Sequence, residues 1–419
     1  MSRTSSESKS PRRVRVLAAA VLAGLTGLVV AGTPAAAATG LDRTANVVQN
    51  RTAWDDDLPS ELAEVRDELK RNHRPDAVQK SLDELVAKDK FPAALAAVQD
   101  GRGRTRHYTA GVADLTTKAQ VPVDGQVRIA SNTKMFTSVT VLQLVGEGKV
   151  SLDEPITTYL PKVVRGKGID GGKITVRQLL QHTSGLPEYV RYMPSVFTAR
   201  DASYSPQDLL KLAFAHEASF APGTSWEYSN TNYVLAGLLI EKVTGRPLAE
   251  AITDRIIKPI GLRHTYWPSK GDTTIRGRHP QGYGSEKPGG KLVDITDQDP
   301  SRAWAAGQLI STPSDVNRFM SALVGGKLLK PEQLAAMKHT MKATGLPAGW
   351  EYGLGLVKMP LTCGGVAWGH GGDIDGYETR NGITEDGRAA TVAVTALPAT
   401  PDTMQHVIDA MDTALCSKR

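Results

Sequence analysis

The sequence predicts a mixed α/β fold of the α+β type, in which an antiparallel sheet flanked by helices adjoins an α-rich lobe. Strand-like and helical runs occupy residues 76–150 and return at residues 350–416, and helix- and loop-rich sequence lies between them at about 151–330. Strands from both ends of the domain can therefore pair in one sheet. We expect an active site in the cleft where the sheet meets the lobe.

The first 38 residues predict a secretory signal peptide. Basic residues at 12–15 precede an apolar run at 16–30, and small residues follow at 35–38. A membrane span is the alternative, but glycines interrupt the run and small residues end it. We therefore expect export to the extracellular, cell-wall side and no membrane anchor after cleavage, with the Sec and twin-arginine routes both open.

The predicted signal peptide also carries most of the positive charge. Residues 1–38 contain five Lys or Arg residues and one Glu, a net of +4 out of a formal net charge of +6 for the chain. The mature chain is thus near +2, which gives no support for a nucleic-acid partner. Residues 39–75 are polar and predict a flexible linker, with a short helix near 59–71. The folded domain then spans 76–416, and we expect a monomer.

Within this domain, hydrophobic spacing predicts each element in turn. Val78, Leu82 and Leu85 recur at helical spacing and predict a packed helix over 76–90. Two strand-like runs follow, joined by a glycine-containing hairpin turn. From 135 to 145 apolar residues cover nearly every face, which predicts a helix buried on all sides. The other predicted elements are helices at 176–180, 232–243, 313–324 and 402–415, and strands at 93–98, 106–112, 353–358, 366–370 and 389–396.

The chain contains two cysteines, Cys363 and Cys416. An even count in an exported chain favours one disulfide that ties the C-terminal segment to the sheet, and two buried free thiols are the alternative. The cysteines lack the close spacing of a zinc site, and no His-x-x-x-His pattern accompanies them. We expect no metal and no cofactor.

The candidate chemistry begins at Ser131 and Lys134, in the stretch IASNTKMF. The two residues are one helical turn apart, so their side chains share a face. At a helix N-terminus the serine gains the positive end of the dipole, and burial favours an uncharged lysine amine that accepts the serine proton. Helix capping by Ser131 is the alternative. Spacing alone is a weak signal, because Ser6 and Lys9 in the signal peptide match it too.

Two later stretches add to this signal. Tyr228 and Asn230 precede a long apolar helix, and His370 is followed by glycines that allow close approach of another chain. Taken singly, Tyr228 could be a core aromatic, Asn230 a helix N-cap and His370 a structural histidine. His182 lies beside two hydroxyl residues and suggests a serine triad, but we interpret it as part of a turn after the helix at 176–180.

The order Ser-x-x-Lys, Tyr-x-Asn and His-x-Gly resembles the three-part signature of the serine β-lactamase and penicillin-binding protein family. Within that family the chain is most similar to secreted bacterial D-alanyl-D-alanine carboxypeptidases and class C β-lactamases. The likeness covers about residues 77–416. It includes LQLV at 142–145, ITVRQLL at 174–180, HTSGL at 182–186 and YGLGL at 352–356.

This resemblance implies a D-alanyl-D-alanine carboxypeptidase that acts on peptidoglycan peptides and is acylated by β-lactams. Ser131 would be the acylated nucleophile, Lys134 and Tyr228 would move its proton, and His370 would complete the polar network around Tyr228. Backbone N–H groups of Ser131 and Asp373 would hold the oxyanion. The substrate-binding residues would be Asn230, Gly371, Gly372 and Asp373. The alternatives are a D-aminopeptidase, an esterase or a β-lactamase of the same superfamily, or a penicillin-binding sensor without turnover.

The third motif departs from the family pattern. Relatives usually carry His-Thr-Gly or Lys-Thr-Gly followed by Ser or Thr, and the threonine hydroxyl helps to hold the terminal carboxylate of the substrate. Here the motif is HGGD at 370–373, so a hydroxyl is missing and a carboxylate has been added. Asp373 would repel a substrate carboxylate by about 1 kcal/mol or more. We therefore expect a weakened preference for D-alanyl-D-alanine, and Asp373 could pair with a substrate amine. Some relatives also place an arginine near the position of Lys358, whose orientation the sequence leaves open.

Overall fold

The structure, a computed structural model, describes residues 76–287 and 289–417. The predicted signal peptide at 1–38 and the predicted linker at 39–75, with its helix near 59–71, lie outside the described residues. In the part of the chain that the structure describes, no helix combines the length and the apolar character needed to cross a membrane.

The elements of the described chain are numbered in order. The strands are β1 Ala93–Gln99, β2 Thr105–Gly111, β3 Val127–Arg128, β4 Arg165–Gly166, β5 Ile169–Asp170, β6 Tyr283–Gly284, β7 Val293–Asp294, β8 Ile310–Ser311, β9 Met341–Lys342, β10 Glu351–Tyr352, β11 Val357–Pro360, β12 Val366–Gly369, β13 Gly371–Ile374, β14 Tyr377–Thr384 and β15 Ala389–Val394. The α-helices are α1 Ala77–Ala87, α2 Thr133–Gly146, α3 Val176–Leu180, α4 Val196–Ala199, α5 Pro206–Phe214, α6 Thr231–Thr244, α7 Leu248–Ile252, α8 Pro313–Val324, α9 Pro331–Lys338 and α10 Pro401–Cys416.

Nine strands of the described chain form one antiparallel sheet. Their order is β2-β1-β15-β14-β12-β11-β10-β9, and β13 also pairs with β14. The two ends of the domain meet near the centre of this sheet, where β1 pairs with β15 from Ala94↔Val394 to Gln99↔Ala389. The predicted α+β fold, with strands from both ends of the domain in one sheet, is therefore confirmed.

Helices cover both faces of the sheet, because successive residues of a strand point to opposite sides. Leu95 and its partner Ala393 belong to the core cluster that contains helix α8. Their neighbours Ala94 and Val394 belong instead to the cluster that contains α1 and α10. The sheet is thus the middle layer of a helix–sheet–helix arrangement.

Helix α2 is enclosed by the rest of the domain, as its apolar sequence predicts. It packs against α6, α7 and α9, and Phe136 stacks on Phe319 of α8 with ring centroids 3.9 Å apart. Lys134 is fully buried in its first turn. The turn that precedes α2 packs against β13, so the sheet and the helical region meet at Ser131.

The predicted strand at 353–358 is wrong. The structure has two short strands there, β10 and β11, separated by a turn over 353–356. Gly355 in this turn has φ of +75°, and a Cβ on it would lie 2.2 Å from Ser138 Oγ of helix α2. The segment turns because Gly355 adopts a left-handed backbone conformation and packs closely on helix α2, which no extended strand could do.

Strand β14 has no counterpart among the predicted elements. All eight of its residues are buried, although it reads YETRNGIT. Its polar side chains are buried with partners that are distant in sequence. Asn381 Nδ2 donates to His370 O at 2.7 Å, and Thr379 Oγ1 accepts a hydrogen bond from Asn132 Nδ2. Hydrophobic periodicity does not detect a strand whose burial depends on such pairs.

The structure joins Cys363, in the turn between β11 and β12, to Cys416 at the end of α10. Their Cα atoms are 5.6 Å apart. The predicted disulfide is therefore confirmed, and it ties the C-terminal helix to the sheet. The alternative of two free thiols is wrong.

Candidate active site

Ser131 lies in a sharp turn that leads into helix α2. It is the middle residue of the 3₁₀ turn Ala130–Asn132 and is half-buried. Ala130 has φ of +48°, in the left-handed region that residues with a Cβ rarely adopt. Asn132 braces the turn, because its Nδ2 donates to Ile129 O at 2.8 Å. The strained turn thus holds the serine hydroxyl at a fixed position in front of the helix.

Lys134 Nζ is surrounded by three oxygen atoms. It lies 2.9 Å from Ser131 Oγ, 2.6 Å from Asn230 Oδ1 and 2.8 Å from Ala306 O. Burial lowers the pKa of Lys134 to about 7, and two nearby carboxylates oppose that change. The amine is therefore divided between its charged and uncharged forms near neutral pH.

Ser131 does not cap helix α2, so that alternative is wrong, whereas Asn230 does occupy an N-cap position. Asn132 and Asn230 occupy the N-cap positions of α2 and α6, and neither uses its side chain to cap the helix. The Ser131 hydroxyl instead contacts Lys134, and so does the Asn230 amide oxygen. These side chains face one another across the site rather than their own helix ends.

Glu188 holds Asn230 in place. Its Oε2 accepts hydrogen bonds from the backbone N–H and from Nδ2 of Asn230, at 2.7 and 2.8 Å, and its Oε1 accepts one from the Val190 N–H at 3.0 Å. Because Nδ2 of Asn230 faces Glu188, its Oδ1 must face Lys134. Burial raises the pKa of Glu188, and the hydrogen bonds from these N–H groups oppose that rise.

Tyr228 lies over the lysine amine. Lys134 Nζ is 4.9 Å from the centroid of the Tyr228 ring. Burial raises the pKa of Tyr228 well above its usual range, and a hydrogen bond with the Ser131 side chain opposes the rise. The phenol therefore keeps its proton near neutral pH. This protonation state fits a role for Tyr228 as a neutral proton relay and does not fit a role as an ionised base.

His370 belongs to a hydrogen-bonded chain beside this group. The Ser229 N–H donates to His182 Nδ1 at 3.1 Å, so His182 Nε2 carries the proton and donates to Tyr352 Oη at 3.1 Å. Tyr352 Oη donates in turn to His370 Nε2 at 2.9 Å, and His370 Nδ1 donates to Gly371 O. This assignment of tautomers gives every donor an acceptor.

Both histidines stay neutral in this chain. Burial lowers the pKa of His370 to about 3, with a further contribution from the charge of Lys134, and it lowers the pKa of His182 well below its usual range. The rings of Tyr228 and His370 have centroids 6.3 Å apart. His182 forms a turn with φ of +61°, as predicted, but its ring also packs 4.3 Å from that of Tyr228. The histidines therefore form a wall of the site.

Strand β13 carries the third motif along the edge of the site. A Cβ on Gly372 would lie 2.2 Å from Ile129 O, and a Cβ on Gly371 would lie 2.9 Å from Arg380 Nη1. Asp373 is half exposed, and its Oδ1 accepts a hydrogen bond from Arg380 Nη2 at 2.8 Å. Packing thus accounts for the two glycines, and the added carboxylate is paired with a buried guanidinium.

The site contains residues that the sequence interpretation missed. Glu188 lies in the stretch GLPEYV, where an acid among apolar residues was the available signal. Arg380 lies on the strand that was not predicted. In the sequence, Tyr352 belongs to the YGLGL stretch, and no local pattern indicates its contact with His370. Lys358, whose orientation was open, pairs with Glu351 Oε2 at 3.3 Å.

Comparison with known proteins agrees with this geometry. The family model named Beta-lactamase matches residues 78–414. The chain belongs to the beta-lactamase family. Among curated proteins, putative penicillin-binding protein PbpX of Bacillus subtilis strain 168 is 26% identical over 265 residues, which is 63% of this chain and 60% of that protein. The chain spans between 30% and 60% of the length of such curated relatives.

Two solved structures resemble the chain over most of its length. A D-stereospecific amidohydrolase from Streptomyces sp. matches with a TM-score of 0.74 and 39% identity, over 80% of this chain and 97% of that one. D-amino acid amidase from Ochrobactrum anthropi SV3, complexed with L-phenylalanine amide, matches with a TM-score of 0.73 and 32% identity, over 81% and 96%. The fold and the superfamily predicted from the three motifs, that of the beta-lactamases and penicillin-binding proteins, are confirmed.

Proposed function

We propose that this protein hydrolyses amides of D-amino acids through an acyl-enzyme on Ser131. This reaction is supported by the similarity to a D-stereospecific amidohydrolase and to a D-amino acid amidase. The match extends over almost the whole length of both proteins. The observation that carries the substrate class is the half-exposed Asp373 carboxylate at the edge of the site. Although Asp373 is paired with Arg380, its exposed carboxylate disfavours a terminal carboxylate of a substrate at contact distance and can accept hydrogen bonds from a free amine.

The surroundings of Lys134 fix how the nucleophile is activated. Ala306 O and Asn230 Oδ1 can only accept hydrogen bonds, so an uncharged Lys134 amine donates its two N–H groups to them. The remaining lone pair then points at Ser131 Oγ, 2.9 Å away. Lys134 is therefore the base that takes the serine proton.

In acylation, Ser131 Oγ attacks the amide carbon of the substrate as its proton passes to Lys134. Backbone N–H groups of Ser131 and Asp373 stabilise the resulting oxyanion. The proton then passes through the Tyr228 hydroxyl to the departing nitrogen, so the C–N bond breaks and ammonia or an amine leaves. In deacylation a water gives a proton to Lys134 and attacks the ester carbon. The ester C–O bond then breaks, Lys134 returns the proton to Ser131 Oγ, and the D-amino acid is released.

Glu188 acts as a positioning residue in this scheme. It accepts hydrogen bonds from both N–H donors of Asn230 and donates to neither, which is the pattern of a carboxylate. The carboxylate fixes the rotation of the Asn230 amide, and the amide oxygen in turn fixes one N–H of Lys134. Ser131 thereby faces the lone pair of the amine.

The test compares three substrates at neutral pH. We expect release of ammonia from D-alanine amide with a kcat/KM at least about tenfold above that for N-acetyl-D-alanyl-D-alanine, because one unfavourable charge contact of about 1.4 kcal/mol changes a rate tenfold. We also expect D-alanine amide to be hydrolysed faster than L-alanine amide, as the similarity to D-stereospecific amidases suggests. The Ser131→Ala variant is the control, and it should lose all three activities.

A D-alanyl-D-alanine carboxypeptidase is the second candidate, favoured by the similarity to PbpX. Rapid release of D-alanine from the acetylated dipeptide, without hydrolysis of D-alanine amide, would establish it and exclude the amidase. Intact mass after exposure to penicillin adds a second criterion. A persistent adduct on Ser131 favours the carboxypeptidase, and a transient one favours a β-lactamase.

We also propose that the protein is exported and is a monomer. The disulfide between Cys363 and Cys416 supports an oxidising compartment. N-terminal sequencing of the protein from culture medium should find a chain that begins after residue 38, and light scattering should give the mass of one chain. Retention of residues 1–38 in an intracellular product would contradict export.

A further inference from the structure

Three charged side chains share one face of the strand pair β13–β14. Asp373 lies opposite Glu378, and Gly371 lies opposite Arg380, in the antiparallel register. Residues that are directly opposite or two apart on paired strands point to the same side of a sheet. We call Asp373, Glu378 and Arg380 the charged strand cluster.

Arg380 reaches the edge of the active site because Gly371 has no side chain. A Cβ on Gly371 would lie 2.9 Å from Arg380 Nη1, so the guanidinium fills the space beside the glycine. Its Nη1 donates to the backbone carbonyl of Thr379 at 3.0 Å, which anchors one side of the group. A planar guanidinium at this position presents its remaining N–H groups to a carboxylate.

That guanidinium is already occupied. Its Nη2 lies 2.8 Å from Asp373 Oδ1 and 2.7 Å from Glu378 Oε1, and the Arg380 side chain is only 6% exposed. The two acids differ in environment, because the Asp373 side chain is 49% exposed and Glu378 is fully buried. Burial raises the pKa of Glu378 to about 8. Asp373 is thus the partner of Arg380 that faces the cleft.

The cluster also borders the reacting groups. On the opposite face of β13 from the cluster, Gly372 packs against Ile129 O, directly before the turn that carries Ser131. The charge of Asp373 raises the pKa of Lys134, and the charge of Arg380 lowers that of His370. A substrate held at Ser131 therefore lies within reach of the same charges.

We propose that Arg380 is a masked binding group for a substrate carboxylate, and that Asp373 is the internal carboxylate that occupies it. This inference rests on the proposed function and deepens it, since it explains why a free terminal carboxylate is rejected and an amide accepted. Removal of the Asp373 carboxylate frees the side of Arg380 Nη2 that faces it, while the buried Glu378 stays beside the same nitrogen. The carboxylate of a D-dipeptide then takes the place of Asp373.

The experiment measures kcat/KM for D-alanine amide and N-acetyl-D-alanyl-D-alanine in wild type, Asp373→Ala, Asp373→Asn and Asp373→Glu. In the Ala and Asn variants we expect dipeptide hydrolysis to rise at least about tenfold, and inhibition by N-acetyl-D-alanine to strengthen by a similar factor. Asp373→Glu should restore the wild-type preference. Asp386→Ala removes the carboxylate from another arginine pair, with Arg388 in the turn between β14 and β15, and should leave the hydrolysis of both substrates unchanged.

The double variant Asp373→Ala/Arg380→Met should lose the gained dipeptide activity. Folded Ala and Asn variants that leave both the dipeptide rate and the inhibition within about twofold of wild type would overturn the inference. A gain that survives in the double variant would also overturn it. The wild-type substrate preference tests the proposed amidase, whereas the change between wild type and variants tests Arg380 and Asp373, so the two failures are distinguishable.

Discussion

Two regions of the active site are built on opposite electrostatic principles. The nucleophile cluster, formed by Ser131, Lys134, Tyr228, Asn230 and Glu188, lies on helical segments and turns, and burial shifts the pKa of its lysine towards neutrality. The charged strand cluster lies on the sheet and keeps a balanced ion pair at the edge of the cleft. From this difference we infer that the nucleophile cluster carries the chemical step and that the charged strand cluster, separately, carries the substrate selectivity. In the proposed mechanism, desolvation of Lys134 sets the reactivity of the serine, and the ion pair of Asp373 and Arg380 selects the substrate.

The largest effect is expected from Lys134→Met in the nucleophile cluster. Loss of the general base should lower kcat about 10³-fold or more, with the fold retained, since methionine suits a buried helical position. Lys358→Met is the matched control, because that lysine pairs with Glu351 away from the serine. Steady-state kinetics on D-alanine amide measures both. An unchanged kcat in Lys134→Met would mean that another group takes the serine proton.

Glu188→Gln should have the next largest effect. A glutamine whose single oxygen accepts both hydrogen bonds from Asn230 must turn its NH₂ group towards the Val190 N–H, which Oε1 accepted in the wild type. This clash of two donors should loosen the grip on Asn230, so we expect kcat/KM to fall about 10-fold to 100-fold. The negative charge of Glu188 raises the pKa of Lys134, so its loss should also move the acid limb of the pH profile to lower pH. A lower rate with an unmoved acid limb would indicate a merely structural role.

A change of pH should lower kcat/KM of the wild-type protein gradually, and by less than the two substitutions do. Lys134 must be uncharged to accept the serine proton, and its pKa is lowered to about 7. Below pH 7 we expect kcat/KM for D-alanine amide to fall about tenfold per pH unit, and above it to approach a plateau. His370, with its pKa lowered to about 3, should add no limb in this range. If kcat/KM shows no acid limb between pH 6 and 8, the uncharged Lys134 amine is not the base.

The disulfide lies outside both regions and should have the smallest effect on activity. Replacing Cys363 and Cys416 by alanine opens a loop with a sequence separation of 53. We expect the free energy of unfolding to fall by about 2–4 kcal/mol, measured by urea denaturation, with kcat/KM changed less than about twofold. A large loss of activity in the folded variant would show that the active site depends on this constraint.

The sequence predicted the nucleophile cluster better than the charged strand cluster. Ser131, Lys134 and Tyr228 follow local spacing and motif order, and helix α2 follows from its apolar composition. Glu188 was not predicted, because its role is to hold Asn230, which lies 42 residues away in the sequence. The nucleophile cluster is therefore only partly encoded in local pattern.

The charged strand cluster depends almost entirely on contacts that are distant in sequence or across strands. The sequence of strand β14 is polar. Its burial is explained by hydrogen bonds that Arg380 donates to Asp373 and Asn381 donates to the His370 carbonyl. The departure at Gly371 and Asp373 was visible in the sequence, but the guanidinium beside them was not. Spacing rules predict single elements, and they do not predict how two strands bring their charges together.

The most direct test of this separation is the pH dependence of kcat/KM for Asp373→Ala on D-alanine amide and on N-acetyl-D-alanyl-D-alanine. We predict that the dipeptide gains relative to the amide by at least about tenfold, while the acid limb stays near pH 7 with only a slight downward shift. A limb that moves by more than about one pH unit with an unchanged substrate ratio would contradict the account, because Asp373 would then tune the base rather than select the substrate.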